Sequence, residues 1–272
     1  MGMTYGKPAI ARGGDRGYKF VDENGNIYGV HVFKSSSVFT CYYNNLNIDC
    51  LIVGGGGYGG VGNSPAGGGG AGGLVFVENM SISNTGHTIV IGGAAGNSTA
   101  FNYTALAGGN GGSGTGSGSN GGSGGGASNT TYNSLPGSGL QPTETPGVGY
   151  GTNGSSSATG GGGGAGGNTS NKNGGIGKYY GDKFGTNYGE NGYFAGGGGG
   201  INFGAGGLGG GGRAGSWGFG TDYSNYNNKP VPTIINTGGG GGAIHYVDDL
   251  NFPETRSRRN GASGIVIIRY QI

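Results

Sequence analysis

The chain has 272 residues, of which 78 are glycine and 8 are proline, and its formal net charge is only +2. Such a composition is typical of low-complexity or disordered segments, yet disorder goes with high net charge and few aromatic residues, whereas this chain contains 17 tyrosines and 10 phenylalanines. The near-neutral charge also argues against nucleic acid as a main partner, because nucleic-acid binding normally needs a basic face.

Residues 1–17 are polar, contain several glycines and show no apolar period, so we predict an N-terminal arm or attachment segment there. Charged residues interrupt the opening part of the chain, and no later apolar segment is long enough to cross a bilayer. The sequence therefore predicts neither a signal peptide nor membrane insertion, and we expect a protein that is soluble as made.

From Tyr18 onward the pattern is that of β-strands rich in β-branched and aromatic residues. No segment has the 3.6-residue apolar period of a helix, and glycine in a helix interior costs about 1 kcal/mol per residue. We predict an all-β core from residues 18–106 and 261–272, with essentially no α-helix. The predicted strands span residues 27–34, 38–43, 48–53, 74–78, 87–92, 99–106 and 264–270.

A short polar turn at residues 44–47 separates two of these strands and predicts a β-hairpin. In that hairpin Cys41 would lie opposite Cys50 and Phe39 opposite Ile52, all on one face because side chains alternate along a strand. The cysteine pair would form a cross-strand disulfide in an exported or virion-borne protein and remain two buried thiols in a reducing compartment. The lack of an export signal favours thiols, and two cysteines alone do not suit a zinc site.

The glycines fall in blocks, not at every third position, which excludes a collagen helix. In the polyproline II conformation a block of five to nine residues spans roughly 15–28 Å and makes no internal hydrogen bonds, so neighbouring blocks must satisfy its polar groups. Flexible linkers are the alternative. We favour an ordered bundle, because blocks connect apolar strands directly. The dense blocks are residues 54–60, 67–73, 160–167, 196–200, 204–212 and 238–242, with a looser serine-mixed stretch at 108–126.

Close approach of such helices would leave no space for side chains at inward positions, while a residue such as Tyr58 would mark an outward side. The bundle and its aromatic loops are assigned to residues 54–73 and 107–260, within a glycine-rich domain of residues 18–272. The glycines predicted to be structural are Gly54, Gly55, Gly56, Gly57, Gly68, Gly69, Gly162, Gly163, Gly198 and Gly240.

Four motifs carry a resemblance: LIVGGGGYGG at residues 51–60, AGGGGAGGLVF at 66–76, HTIVIGGAAG at 87–96 and GASGIVIIRY at 261–270. In this order they resemble the glycine-rich domain of phage tail proteins and large-virus proteins, and more distantly the extracellular glycine-rich region of anaplastic lymphoma kinase. The resemblance implies a small β-sandwich of tumour-necrosis-factor-like appearance with an inserted bundle of polyglycine II helices. Phage tail-tip adhesins are a looser parallel, although the N-terminal residues do not match their fibre-attachment domain.

Little in the sequence points to catalysis. The segment GGIGKYY resembles a phosphate loop, but Tyr179 follows Lys178 where Ser or Thr should coordinate Mg²⁺. His31, His87 and His245 fall in three separate predicted β regions, where we expect polar or interfacial strand residues and not a base or a ligand. We therefore expect no enzyme, no catalytic residue, no metal site and no cofactor.

Two loops, residues 168–194 and 213–229, combine aromatic residues with Asn, Gly and Ser, a mixture typical of antibody paratopes. Such rings on a stiff scaffold suit stacking on a sugar or gripping a protein loop. The alternative interpretation is that the rings cover the ends and flanks of the glycine bundle. The candidate receptor-binding residues are Trp217, Phe219, Tyr223, Tyr226, Tyr179, Tyr180 and Tyr188.

The sequence thus predicts a non-enzymatic viral or phage surface protein of the tail fibre or adhesin type, located on the virion surface or tail fibre. Its expected partner is a host surface glycan or protein, and the arm at residues 1–17 would contact virion or fibre neighbours, with a homo-oligomer as a further option. The alternative is a structural subunit of a capsid, fibre or extracellular filament that has no specific receptor.

Overall fold

The computed structural model describes residues 10–62, 65–129, 133–215, 231, 233–245 and 257–272. Within these residues a single-turn helix, α1 (Gly181–Phe184), and a 3₁₀ turn, Ser257–Arg259, are the helical segments. The strands are β1 (Ala11–Arg12), β2 (Arg16–Val21), β3 (Ile27–Phe33), β4 (Ser37–Cys41), β5 (Leu46–Val53), β6 (Val61–Gly62), β7 (Leu74–Ile82), β8 (Gly86–Val90), β9 (Ser98–Ala100), β10 (Tyr103–Ala105), β11 (Val148–Tyr150), β12 (Lys178–Tyr179), β13 (Tyr193–Phe194), β14 (Ile244–His245) and β15 (Ile265–Gln271).

Two antiparallel sheets form the β-sandwich. In the described part of the chain one sheet has six strands in the order β11-β7-β5-β15-β3-β2, and the other has five in the order β1-β4-β8-β9-β10. The C-terminal strand β15 lies in the middle of the larger sheet, between β3 and β5. The predicted all-β fold with essentially no α-helix is confirmed.

The central strands of the larger sheet, β5 and β15, are buried on both faces and border two hydrophobic cores. The first core lies between the two sheets and the second lies on the opposite face of the larger sheet. Alternate residues of β5 and β15 enter each core, which explains why LIV and IVII read as continuous apolar runs and not as alternating ones. Large side chains of the first core are Phe33, Phe39, Ile52, Ile89 and Val266, and those of the second are Leu51, Val53, Leu74, Phe76 and Ile267.

The predicted hairpin, in which the strand of Cys41 pairs with the strand of Cys50, is wrong. Strand β4 pairs with β1 and β8, whereas β5 pairs with β7 and β15, so the two strands lie in different sheets. The apolar faces of both strands are buried when the sheets face each other across the core, as in other β-sandwiches. Both cysteines are free and buried in the first core, where the Cys41 thiol donates to the carbonyl of Tyr43 and burial raises the pKa of Cys50.

The predicted N-terminal arm, residues 1–17, is too long, because its second half belongs to the sandwich. Strand β1 pairs with β4 and β2 pairs with β3, so residues from Ala11 onward belong to the sandwich. Asp15 anchors this segment, because its carboxylate accepts hydrogen bonds from the main-chain amides of Lys34 and Ser35 at 2.6 and 3.0 Å. Residues 1–9 lie outside the described residues.

The glycine runs continue the register of the sheet. The last pairs between β5 and β7 are Ile52 with Val75 and Val53 with Leu74. Beyond them the amide of Gly54 donates to the carbonyl of Gly73. The next hydrogen bonds between the two runs follow at intervals of three residues, from Gly57 to Gly70 and from Gly60 to Gly67. A sheet repeats every two residues and a polyproline II helix every three. The junction at residues 53–54 is therefore where one kind of backbone pairing becomes the other.

The run 67–73 lies at the centre of the bundle. Its amides donate in three directions with a three-residue period, to carbonyls in the segments 106–112, 160–163 and 238–241. Its carbonyls accept from amides in the run 54–60, in the segment 123–126 and at Gly198. Six neighbouring segments of the described chain thus surround this run, and every amide from Gly67 to Gly73 has a main-chain acceptor. This is the arrangement expected of packed helices that make no internal hydrogen bonds.

Side chains are excluded sterically at the inward positions of the bundle. A Cβ at Gly55 would collide with the carbonyl of Gly93, and one at Gly56 with the carbonyl of Gly239, far inside the 3.0 Å that real Cβ atoms respect. A Cβ would collide with a main-chain oxygen in the same way at each of the other predicted structural glycines, Gly54, Gly57, Gly68, Gly69, Gly162, Gly163, Gly198 and Gly240.

We predict that Gly56→Ala lowers the free energy of unfolding by about 3 kcal/mol, because an added methyl would force two packed backbones apart. Gly93→Ala is the matched control, since a Cβ there meets nothing within 4 Å, and we expect no loss of stability from it. Denaturant melts of the two variants and the parent protein measure the difference. Equal tolerance of the two substitutions would contradict a close-packed bundle.

Candidate binding surface

A tyrosine-rich hairpin covers the outer face of the larger sheet. Strands β12 and β13 pair in antiparallel register, with Tyr179 opposite Tyr193 and Lys178 opposite Phe194, and α1 lies in the connection between them. Side chains alternate along each strand, so one set of residues faces the sheet and the other faces away. This alternation divides the aromatic residues of the predicted loop 168–194 into two groups.

The inward group belongs to the second hydrophobic core. Tyr180 is 5% exposed and Phe184 is 1% exposed, and their rings lie 4.8 and 6.3 Å from the ring of Phe76 on β7. Burial, with the neighbouring Tyr150, raises the pKa of Tyr180. The interpretation of Tyr180 as a receptor contact is therefore wrong, because its ring covers the sheet and is not presented to a partner.

An enclosed ion pair fastens α1 to the larger sheet. Arg269 on β15 donates from Nε to Asp49 at 2.8 Å and from Nη1 to the carbonyl of Lys183 at 2.7 Å. Its guanidinium also lies over the ring of Tyr28 at 4.3 Å. A charge this well buried is tolerable only when its donors are satisfied, and these contacts hold the base of the hairpin in one position.

A second anchor links the hairpin to the glycine bundle. The Glu190 carboxylate accepts hydrogen bonds from the amides of Gly209 and Gly210 at 2.7 and 2.9 Å. Main-chain hydrogen bonds between Glu190 and Tyr193 run in both directions. The start of β13 is therefore fixed to the glycine run behind it.

The outward group forms the surface that a partner could contact. Tyr179 is 43% exposed, and its ring centroid lies 4.9 Å from that of Tyr193, at an interplanar angle of 49°. We call these two residues the tyrosine pair. Lys178 lies on the other face of β12, opposite Phe194, and its ammonium makes a cation–π contact at 4.4 Å from the centroid of the Tyr150 ring.

The remaining candidates divide between half-buried and undescribed positions. Tyr188 is half-buried and stacks on Tyr18 at 6.0 Å, and the Tyr18 hydroxyl donates to the carbonyl of Phe184 at 2.6 Å. Tyr193 was absent from the candidate set, although pairing the two strands would have placed it opposite Tyr179. Trp217, Phe219, Tyr223 and Tyr226 lie outside the described residues.

The histidines occupy strands, and His31 is held in its neutral form. Its Nδ1 donates to the carbonyl of Gly13 at 2.8 Å, so its Nε2 accepts from the Tyr270 hydroxyl at 3.0 Å. Burial lowers the pKa of His31, and the hydrogen bond to Gly13 opposes that shift in part. Protonation would add a charge in a half-buried position and remove the acceptor that Tyr270 uses.

We predict that His31 makes the fold less stable in mild acid. Because its folded-state pKa lies below the ordinary value of 6.5, its contribution is complete above that pH and is lost as the pH falls through the folded-state pKa. His31→Gln keeps one donor and one acceptor but does not titrate. Melts between about pH 7.5 and about pH 5 should show a smaller loss of stability in this variant, and identical profiles would contradict the assignment.

Within the described ranges, no three or more of the side chains His, Cys, Asp and Glu come together as a metal site would require. No helix in that part of the chain combines the length and apolar composition needed to cross a bilayer.

Comparison with known proteins identifies one domain family. A family model described as a glycine-rich domain matches residues 32–271, which include the strands from β4 onward, the bundle and the tyrosine-rich hairpin. None of the curated proteins matches the chain. The match begins inside β3, so β1 and β2 precede the matched residues.

Proposed function

The chain belongs to the glycine-rich domain family, and on that premise we propose that it is a non-enzymatic surface protein of a virus or phage, of the tail fibre or adhesin type. In this proposal it recognises a glycan or protein on a host cell. Support for the viral setting comes from the order of the four motifs at residues 51–60, 66–76, 87–96 and 261–270. The observation that carries the recognition role is the tyrosine pair on an anchored hairpin, with Tyr179 exposed and Tyr193 partly exposed beside it.

Rigidity is what makes the tyrosine pair suitable for binding. The inward side of the hairpin is held by Tyr180, Phe184 and the Arg269 ion pair, and its end is held by Glu190. A binding surface that is already ordered loses little conformational freedom when a partner arrives. Tyrosine adds a large amphipathic ring with few rotatable bonds, which is why paratopes use it.

A structural subunit of a capsid, fibre or extracellular filament is the second candidate. The observation that favours it is the burial of Tyr180 and Phe184, because part of the aromatic content then serves the core and not a receptor. In this alternative the bundle supplies a stiff body, and the residues before β1 contact neighbouring subunits. The two candidates differ in whether the isolated protein binds cells.

We predict that the double variant Tyr179→Ala/Tyr193→Ala binds host cells at least tenfold more weakly, because the exposed ring of Tyr179 and the partly exposed ring of Tyr193 are removed from the contact. The fluorescently labelled protein is first screened by flow cytometry against a panel of bacterial and eukaryotic cells. The variant is then compared with the parent protein on the cells that bind. Near-unchanged melting temperatures would show that the loss is local.

The control is Tyr42→Ala/Tyr43→Ala, which removes two tyrosines that are each 44% exposed, close to the 43% of Tyr179, from the connection between β4 and β5. We expect the control variant to bind as the parent does. Equal loss in both variants, or none in either, would contradict recognition by the tyrosine pair. A parent protein that binds no cell in the panel would favour the structural subunit.

A further inference from the structure

A polar groove opens at the edge of the sandwich, away from the tyrosine pair. It lies where the end of β7, the start of β8 and the turn between β9 and β10 meet, and it has a volume of about 670 Å³, within the range of small-ligand sites. Ser81, Ser83 and His87 line one part of it, and Thr99, Phe101 and Thr104 line another. We call it the polar groove.

The walls of the polar groove carry hydrogen-bonding groups without fixed charge. None of the residues that line it is Asp, Glu, Lys or Arg. Serine and threonine hydroxyls both donate and accept. A phosphate or carboxylate ligand is normally bound by Arg or Lys. An apolar ligand would leave these hydroxyls without hydrogen-bond partners. The groove therefore suits an uncharged ligand that has many hydroxyl groups.

His87 adds an oriented acceptor to the polar groove. Its Nε2 lies 3.1 Å from the carbonyl of Ser83, and because a carbonyl only accepts, this nitrogen carries the proton. In the neutral ring Nδ1 is then an acceptor. The ring also packs against Phe101, with 5.0 Å between centroids, so its orientation is fixed by two contacts.

Phe101 is held at the mouth of the polar groove in an unfavourable backbone conformation. It and Asn102 form the two-residue turn between β9 and β10, with φ values of 49° and 68°. Turns of this kind prefer Asn-Gly, and positive φ is unusual for a bulky aromatic residue. The ring of Phe101 lies 6.2 Å from that of Phe39 and stays partly exposed. Strain of this kind concentrates at ligand-binding positions.

We propose that the polar groove binds a neutral saccharide. The hydroxyls of Thr99 and Thr104, which lie opposite each other on one face of β9 and β10, bond to sugar hydroxyls, and the partly exposed ring of Phe101 packs against the apolar C–H face of a pyranose. This site is separate from the tyrosine pair and from the recognition role proposed for that pair. Uncharged oligosaccharides, and not sialylated or phosphorylated ones, are the class of ligand that the lining selects.

The test is an NMR titration of the ¹⁵N-labelled full chain with the methyl glycosides of glucose, galactose, mannose and N-acetylglucosamine at millimolar concentration. We expect at least one of them to shift the amides of Phe101, His87 and Thr99. Thr99→Val/Thr104→Val should weaken that sugar at least tenfold, because it removes two hydroxyls with little change in shape. Thr40→Val, on the same sheet but outside the polar groove, should leave the affinity unchanged.

Phe101→Asn is a second variant, which suits positive φ while removing the ring, and we expect it to lose affinity to a similar degree. The tyrosine-pair variant should keep the sugar response whether or not cell binding fails, so the two proposals fail separately. Absence of shifts with all four glycosides, shifts confined to other surfaces, or unchanged affinity in the threonine double variant would overturn the saccharide site.

Discussion

Hydrogen bonds between main chains of different glycine runs are the interaction on which this fold depends. A polyproline II helix satisfies none of its own amides or carbonyls, and a buried unpaired polar group costs about 1–3 kcal/mol. The run 67–73 resolves this by donating to three segments and accepting from three others. The absence of side chains is what permits the close approach, and the conformational entropy lost by glycine on folding opposes it. The bundle is therefore expected to form as a unit.

The β-sheet determines where the bundle begins. Strands β5 and β7 are neighbours, and the runs 54–60 and 67–73 extend from their paired ends in the same register. The strand β15, reached through residues 261–264, pairs with β5 from the other side. The apolar strands thus align the side-chain-free backbone of the glycine runs that follow them. The bundle in turn supports the tyrosine-rich hairpin through Gly209 and Gly210.

Much of this architecture could be predicted from the sequence. Where apolar strands pass directly into glycine runs, the main-chain amides and carbonyls of those runs have few possible hydrogen-bond partners other than neighbouring runs. The sheet to which β4 belongs could not be predicted. The same face of β4 is buried whether the strand forms a hairpin with β5 or crosses to the other sheet. Tyr179 and Tyr180 show the same limit at the surface: both are aromatic, and only the pairing of β12 with β13 decides which one is exposed. The polar groove had no signal in the sequence, because its hydroxyls come from three separate segments.

Amide hydrogen exchange of the glycines at residues 67–73 tests the central claim most directly. If these amides are bonded to neighbouring runs, they should exchange as slowly as those of β5 and β15, because opening them requires opening the bundle. The amide of Gly93, an exposed residue, supplies the fast reference within the same molecule. Exchange of Gly67 to Gly73 at the rate of Gly93, with the sheet still protected, would contradict an ordered glycine bundle.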